Sequence, residues 1–450
     1  MIMINLRIIL ILLILVVSGC DVLDVEPYHS IPADQAITSK KDVDSAINGC
    51  YAAIQSAGYY GRNFLVIGDL AADNLQWTGT TAGYNQIDNN SILADNVIVE
   101  GIWSSIYSVL SRVNIAAYQI ELLDDIPQEE KDAFLAELYF LRAMAHFDLV
   151  RLFGPVPIRT APVSSTDEDL NVPRRSVEDV YNRIFSDLTF AEEHIRTNMV
   201  RGKASKAAVL ALKARASLTW YSLTEQESLL QDAADAATSV IEDFGLELTP
   251  TFAELFDGNP NSESIFEIDF NEQDRNRLAE YFFPTSLSGR REFAPTQKLF
   301  NFYTHNDLRR DASMAMDGVN LYAIKYSDIE TGTDNVYVFR LAEMHLIRAE
   351  ANVMMNKEGE LSRDDVNAIR IRADLPEVLT TSPFLLARQI REMRQLEFAF
   401  EGHRWFDLIR TNRAIEELEG VDEDYQKLFP IPLGELLTNF HEEMVQNDGY

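Results

Sequence analysis

The sequence predicts a mainly α fold, a helical body joined to an irregular, loop-rich part with minor β structure. Three observations predict it. Apolar residues recur at steps of three and four over long stretches. Helix stops such as Gly154-Pro155 stand where those stretches end. Two long segments, 58–96 and 271–336, break the pattern with glycines, amides and aromatic residues instead. The chain has 450 residues, 46% hydrophobic and 10% aromatic, which is enough for a large core.

In chain order, the first element is an apolar run at 8–17 behind the single Arg7. It is too short to span a bilayer as a helix and sits where the core of a signal peptide sits. It ends in Val17-Ser18-Gly19-Cys20, small residues before a cysteine, a pattern that resembles a bacterial lipobox. Residues 1–19 then read as a lipoprotein signal peptide, Cys20 as the lipidated residue and 20–38, with Pro27 and Pro32, as a lipidated tether. An ordinary secretory signal with a chance cysteine is the other reading. Several acyl chains, each buried methylene adding ~0.8 kcal/mol, would anchor the protein firmly. The remaining cysteine, Cys50, stands in the apolar helical stretch "AINGCYAAI" and reads as a small buried side chain. If Cys20 carries lipid, no intrachain disulfide is possible.

The body, 39–450, is expected to form helices at 40–57, 99–124, 128–153, 176–196, 204–221, 226–243, 337–356, 361–373, 384–402 and 404–418. In 128–153, Phe134, Leu138, Leu141, Ala145, Leu149 and Leu152 mark one helical face. The one clear strand signal is "ESIFEIDF", where Phe266, Ile268 and Phe270 alternate with Glu267 and Asp269. Leu141-Arg142-Ala143-Met144-Ala145 is echoed by Leu212-Lys213-Ala214-Arg215-Ala216 and Ile347-Arg348-Ala349-Glu350-Ala351. A basic arm beside two alanines suits close-packed helical hairpins of the tetratricopeptide kind; good helix formers recurring by chance is the alternative.

The stretch "FEGHRWFDLIR", 400–410, is the densest group of chemically capable residues. Glu397, Glu401 and Arg404, with Arg394 before them, have the spacing for local ion pairs, and His403 and Asp407 are four apart. Gly402 permits a bend, while Trp405, Phe406 and Ile409 supply apolar surface. The expectation is scaffold, not catalysis. Elsewhere, the seven histidines form no H-E-x-x-H; "HEEM" at 441 lacks the second ligand zinc needs. There is no G-x-S-x-G elbow and no glycine-rich phosphate loop. With 71 acidic residues, no carboxylate pair stands out as a glycosidase dyad. No enzyme activity, cofactor or metal is therefore expected. A net charge of −32 repels phosphate backbones, so nucleic acid is not expected as a partner.

Several segments together resemble the SusD/RagB family of outer-membrane nutrient-binding lipoproteins of Bacteroidota. They are the lipobox with "DVLDVEP", "ELYFLRAMAHFDLVRLFGPVP" at 137–157, "YVFRLAEMHLIRAEA" at 337–351, "NAIRIRADL" at 367–375, "REMRQLEFAFEGHRWFDLIR" at 391–410 and "FPIPLGELLTNFHEEMVQNDGY" at 429–450. The resemblance implies an N-terminal SusD-like part at 39–245 with tetratricopeptide-like helices, and a C-terminal SusD/RagB part at 246–450. It implies a lipid-anchored, cell-surface protein of the outer membrane that captures a glycan and hands it to a SusC-like TonB-dependent transporter, without catalysis. A peptide-binding or structural lid of the same kind of transporter is the alternative. It also makes "EGHRWFDL" a signature of the fold.

A sugar offers hydroxyls in all directions and apolar C–H faces, so its site pairs flat rings with amides, carboxylates and guanidiniums. The glycine-bearing segment 73–90 has that mixture in Asn74, Gln76, Trp77, Tyr84 and Asn85, with Arg62 upstream. The second segment adds Tyr281, Arg290 and Tyr322. Trp77 is the expected aromatic platform, and rings that merely pack the loops onto the body are the competing reading.

Overall fold

The computed structural model describes residues 37–163 and 170–450. The signal peptide, Cys20 and nearly all of the tether lie outside the described residues. Among those described, no helix is long and apolar enough to cross a membrane.

The body is a succession of helices, each packed on the next. Helix α1 (Lys40–Ile54) starts at Ser39, whose hydroxyl caps the amide of Asp42, and buries Val43, Ile47, Cys50 and Ile54. The loop-rich segment after it contains α2 (Asn63–Leu70), β1 (Leu75–Trp77) and α3 (Ala82–Asp88). Helix α4 (Val97–Glu121) is capped by Asn96, whose side-chain oxygen accepts from the amides of Ile98 and Val99. Then come α5 (Gln128–Phe153), α6 (Val177–His194), α7 (Lys206–Thr224) and α8 (Glu227–Asp243). Helix α5 does not bury one stripe only. It is buried nearly all round, because α4 and α6 both pack on it.

The C-terminal half begins with β2 (Ser264–Ile268), followed by α9 (Leu278–Phe282), β3 (Phe293–Pro295), α10 (Gln297–Phe302), α11 (Leu308–Ser313), the β4–β5 hairpin (Met314–Asp317 and Asn320–Ala323) and β6 (Val336–Arg340). Helices α12 (Leu341–Met354), α13 (Gly359–Arg372), α14 (Pro383–Glu397), α15 (Arg404–Arg410), α16 (Ala414–Glu417) and α17 (Leu433–Thr438) complete it. Helix α8 packs on α12, which packs on α13 and α14, so the helical succession runs through both halves. The three sequence echoes are one packing device. Their alanines are all fully buried, and their basic residues reach a carboxylate on the neighbouring helix. Arg142 donates to Asp187 at 2.9 and 2.7 Å, Lys213 to Glu192 at 2.7 Å, and Arg348 to Asp365 at 2.9 and 2.7 Å.

Four sequence expectations need correction. The helix expected at 337–356 starts only at Leu341, because Val336-Tyr337-Val338-Phe339 is β-branched and aromatic and pairs antiparallel with β2 as β6. Strand β2 has no solvated face, since Glu267 is 3% exposed; it is held by Arg201, Ser264 and Asn335. The helices expected at 384–402 and 404–418 break at left-handed residues Phe400, Gly402 and Asn412. The fourth concerns Glu397, Glu401 and Arg404, whose pairs are tertiary rather than local, although Asp407 keeps a local pair with Arg410 at 2.9 Å. Arg340 bonds Glu401 at 2.7 and 2.9 Å, Glu397 at 2.8 Å and Glu263 at 2.9 Å. Arg372 also reaches Glu263 and Glu397, Arg309 reaches Glu397 at 3.3 Å, and Lys325 reaches Glu401 at 2.7 Å. Arg404 leaves the group for Asp73 and Glu417. Trp405 is fully buried, edge-on to Phe429.

Candidate ligand-binding site

The two irregular segments are far apart in sequence and adjacent in space. Strand β1 pairs antiparallel with β3 in the register Leu75 to Pro295, Gln76 to Ala294 and Trp77 to Phe293. The join continues past the strands, where the Thr78 amide donates to the Glu292 carbonyl at 3.0 Å and the Thr78 hydroxyl to the Arg291 carbonyl at 2.8 Å.

Glu292 organises the loop that follows Trp77. Its Oε1 accepts from the amides of Thr81 at 2.7 Å and Thr80 at 3.1 Å, and from Trp77 Nε1 at 3.3 Å. Burial pushes its pKa up, but those donors outweigh burial and hold it below the usual glutamate value. Gly79 makes the arrangement possible, because a Cβ there would lie 2.2 Å from the Glu292 carboxyl carbon. Trp77 is half-buried and packs partly on the core. It is thus a ring fixed on one side, not a freely projecting one.

Around this centre the expected site residues divide. The Arg62 guanidinium lies 4.0 Å over the Tyr281 ring, and Arg290 lies 4.9 Å from the same ring while donating to its hydroxyl at 3.2 Å. Tyr281 also stacks on Phe293, with centroids 6.0 Å apart. Tyr322 is half-buried and edge-on to Phe283 at 5.0 Å. Asn85 is half-buried and accepts from Asn89 at 2.8 Å.

The structure corrects the reading of three residues as surface contacts. Tyr84 is 1% exposed; its hydroxyl donates to Asn63 at 2.7 Å and its ring stands edge-on to Phe293 at 4.7 Å. Burial pushes that hydroxyl up to about 12. Asn74 is also 1% exposed, donating to Asp69 at 2.6 Å and accepting from Gln395 at 3.1 Å. Both support the loop from beneath. Tyr281 is 9% exposed, its ring covered by Phe293 and the two guanidiniums, so it orients them rather than offering a bare face.

Gln76 is exposed but, one residue before Trp77 on a strand, faces the other way. It lines a cleft of about 410 Å³ with Asp73, Asp88, Asn89, Thr296, Lys298 and Glu417. The residue that sequence reasoning missed is Glu292. Among 71 acidic residues nothing marks it locally, and its role exists only because β3 lies beside β1.

A family model described as "Starch-binding associating with outer membrane" matches residues 21–218, and the model of the SusD family matches 313–450. SusD-like protein P2 of Formosa agariphila is 28% identical over 512 aligned residues, covering 99% of each chain. Starch-binding protein SusD of Bacteroides thetaiotaomicron is 27% identical over 178 residues, 37% of this chain and 30% of that one. Among solved structures, a laminarin binding SusD-like protein superposes with a TM-score of 0.81 at 23% identity, over 92% of this chain and 100% of that one. Surface glycan-binding protein A from Bacteroides fluxus gives 0.79 at 25% identity, over the same shares.

Proposed function

From the premise that this chain belongs to the SusD/RagB family, we propose that it is a non-catalytic, glycan-binding lipoprotein of the outer membrane. Cys20 carries its lipid, and it delivers its ligand to a SusC-like TonB-dependent transporter. The observation that carries the glycan reading is the union of the two irregular segments. They set the Trp77 ring, the Thr78–Thr81 turn and the Arg62–Tyr281–Arg290 stack around one buried carboxylate, Glu292. A flat ring beside hydroxyl, amide and guanidinium groups suits the two sides of a sugar. The names of relatives that bind laminarin, starch and surface glycans support the same ligand class.

The test is calorimetric titration of residues 21–450 against a panel of polysaccharides and peptides. The expected result is heat with a glycan, and affinity about 30-fold weaker in Trp77→Ala, since a truncated anchor ring forfeits about 2 kcal/mol or more. Because Trp77 is half-buried, a modest fall in its melting midpoint is expected too. Heat with peptides alone overturns the glycan reading in favour of a peptide lid. For the anchor, Cys20→Ala should lose metabolic lipid label and leave the membrane fraction.

A further inference from the structure

The stretch that looks most like an active site in the sequence borders a second feature. Arg391 and Arg394 of α14, Arg404 and Arg410 of α15, and Arg413 line a cavity of about 20 Å³. Among the described residues, two carboxylates, Asp407 and Glu417, share its wall. Five guanidiniums converge there in a chain of net charge −32.

Most of their donors are spent. Arg410 bonds Glu350 at 2.6 and 2.9 Å, Arg404 bonds Asp73 at 2.7 and 3.1 Å, and Arg413 pairs with Glu417 and Glu416. Two are not. Arg394 is 4% exposed, gives its Nε to Asp407 at 2.8 Å and stands 3.8 Å from Glu343 through Nη2, yet its Nη1 is buried with no acceptor among the described residues. Arg391 has no hydrogen bond or ion pair among the described residues. A buried charged donor without an acceptor costs more than a neutral one, and it is satisfied best by a charged acceptor. Arg404, Arg410 and Arg413 are balanced by Asp73, Glu350, Glu416 and Glu417, which leaves Arg391 without a counter-charge in the same cavity wall as the free Nη1 of Arg394, so the acceptor that serves both is an anion. The space holds one small centre, just above the ~10–15 Å³ that a single water needs, so the anion is monatomic.

We propose that this cluster is a halide site, taking chloride between Arg391 and Arg394 and so completing the set of contacts that holds α14 to α15. Its position at the α14–α15 junction, bordered by Asp407 of the "EGHRWFDL" stretch, gives that stretch a role in ion binding as well as in packing.

The experiment uses residues 21–450 and bromide as the probe. Crystals grown in sodium bromide should show an anomalous peak within about 3.5 Å of Arg394 Nη1. In solution at fixed ionic strength, replacing sodium gluconate by sodium chloride should raise the melting midpoint with saturation. Arg391→Gln should weaken the chloride dependence about tenfold, as expected for removing one charge-assisted donor. Arg391 is half-exposed and unpaired, so that variant should fold. No bromide peak there, a midpoint indifferent to chloride, or an effect given by sulfate or phosphate but not by chloride would each overturn the proposal.

Discussion

His146 shows how a single residue is fixed by its surroundings. It is fully buried on α5; its Nδ1 donates to the Arg142 carbonyl at 3.0 Å, and its Nε2 accepts from the Arg159 amide at 3.3 Å. Burial disfavours the charged ring, and the Arg142 and Arg183 guanidiniums add to this against Asp187, so its pKa falls to about 4. A histidine depressed in the folded state binds its proton more readily when unfolded. Its contribution is therefore whole above about 6.5 and is lost as pH falls toward about 4. Between pH 7 and pH 5 the folded state should lose about 2 kcal/mol through this residue. Urea unfolding of wild type and His146→Gln at the two pH values measures it; the variant should lose that much less. Trp405 makes a complementary case. Its ring is fully buried while its Nε1 has no hydrogen-bond partner among the described residues. Trp405→Ala should cost about 3–5 kcal/mol in urea unfolding. Trp405→Phe should cost clearly less, since no hydrogen bond is lost.

At the scale of elements, the charges of α14 and its following turn knit separate pieces together. Glu397 accepts from Arg340, which ends β6, from Arg372 of α13 and from Arg309 of α11. Burial pushes its carboxyl up, but Arg372, Arg340 and Arg309 together hold it far below the usual range. Glu397→Ala would take a shared carboxylate from three buried guanidiniums, leaving Arg340 to Glu401 and Glu263, Arg372 to Glu263 and Arg309 to Asp307 with an excess of buried positive charge, and a loss of about 3–5 kcal/mol in chemical unfolding is expected. The turn after α14 also touches α2 backbone to backbone. A Cβ on Gly68 would lie 2.3 Å from the Gly402 carbonyl oxygen. Gly402 itself has φ +77°, a left-handed conformation that favours glycine.

At the scale of the whole molecule, the candidate site exists because the two halves of the chain meet. Its strands come from 75–77 and 293–295, and its clamp joins Glu292 to Trp77, Thr80 and Thr81. Gly79→Ala places a methyl where the Glu292 carboxylate stands. Affinity for the glycan found by calorimetry should fall about tenfold or more, because the loop loses preorganisation rather than a contact. The melting midpoint should move much less than in Trp405→Ala. Equal losses of stability in the two variants would show the loop to be part of the core.

The sequence by itself determined the class of the fold and the place of most long helices. Those properties rest on local periodicity, capping residues and helix stops, which neighbours along the chain suffice to express. It could not determine that 336–340 is a strand, since a short apolar run suits either structure until β2 lies beside it. Nor could it say which rings face solvent. Tyr84 and Trp77 stand in the same amide-rich loop, and only the arrival of Phe293 and Glu292 from the other half buries one and leaves the other half-open. The same holds for the charges. Spacing allowed local pairs for Glu397 and Glu401, but Arg340, Arg372 and Lys325 lie closer in space, and buried carboxylates take the partners that tertiary packing brings within reach.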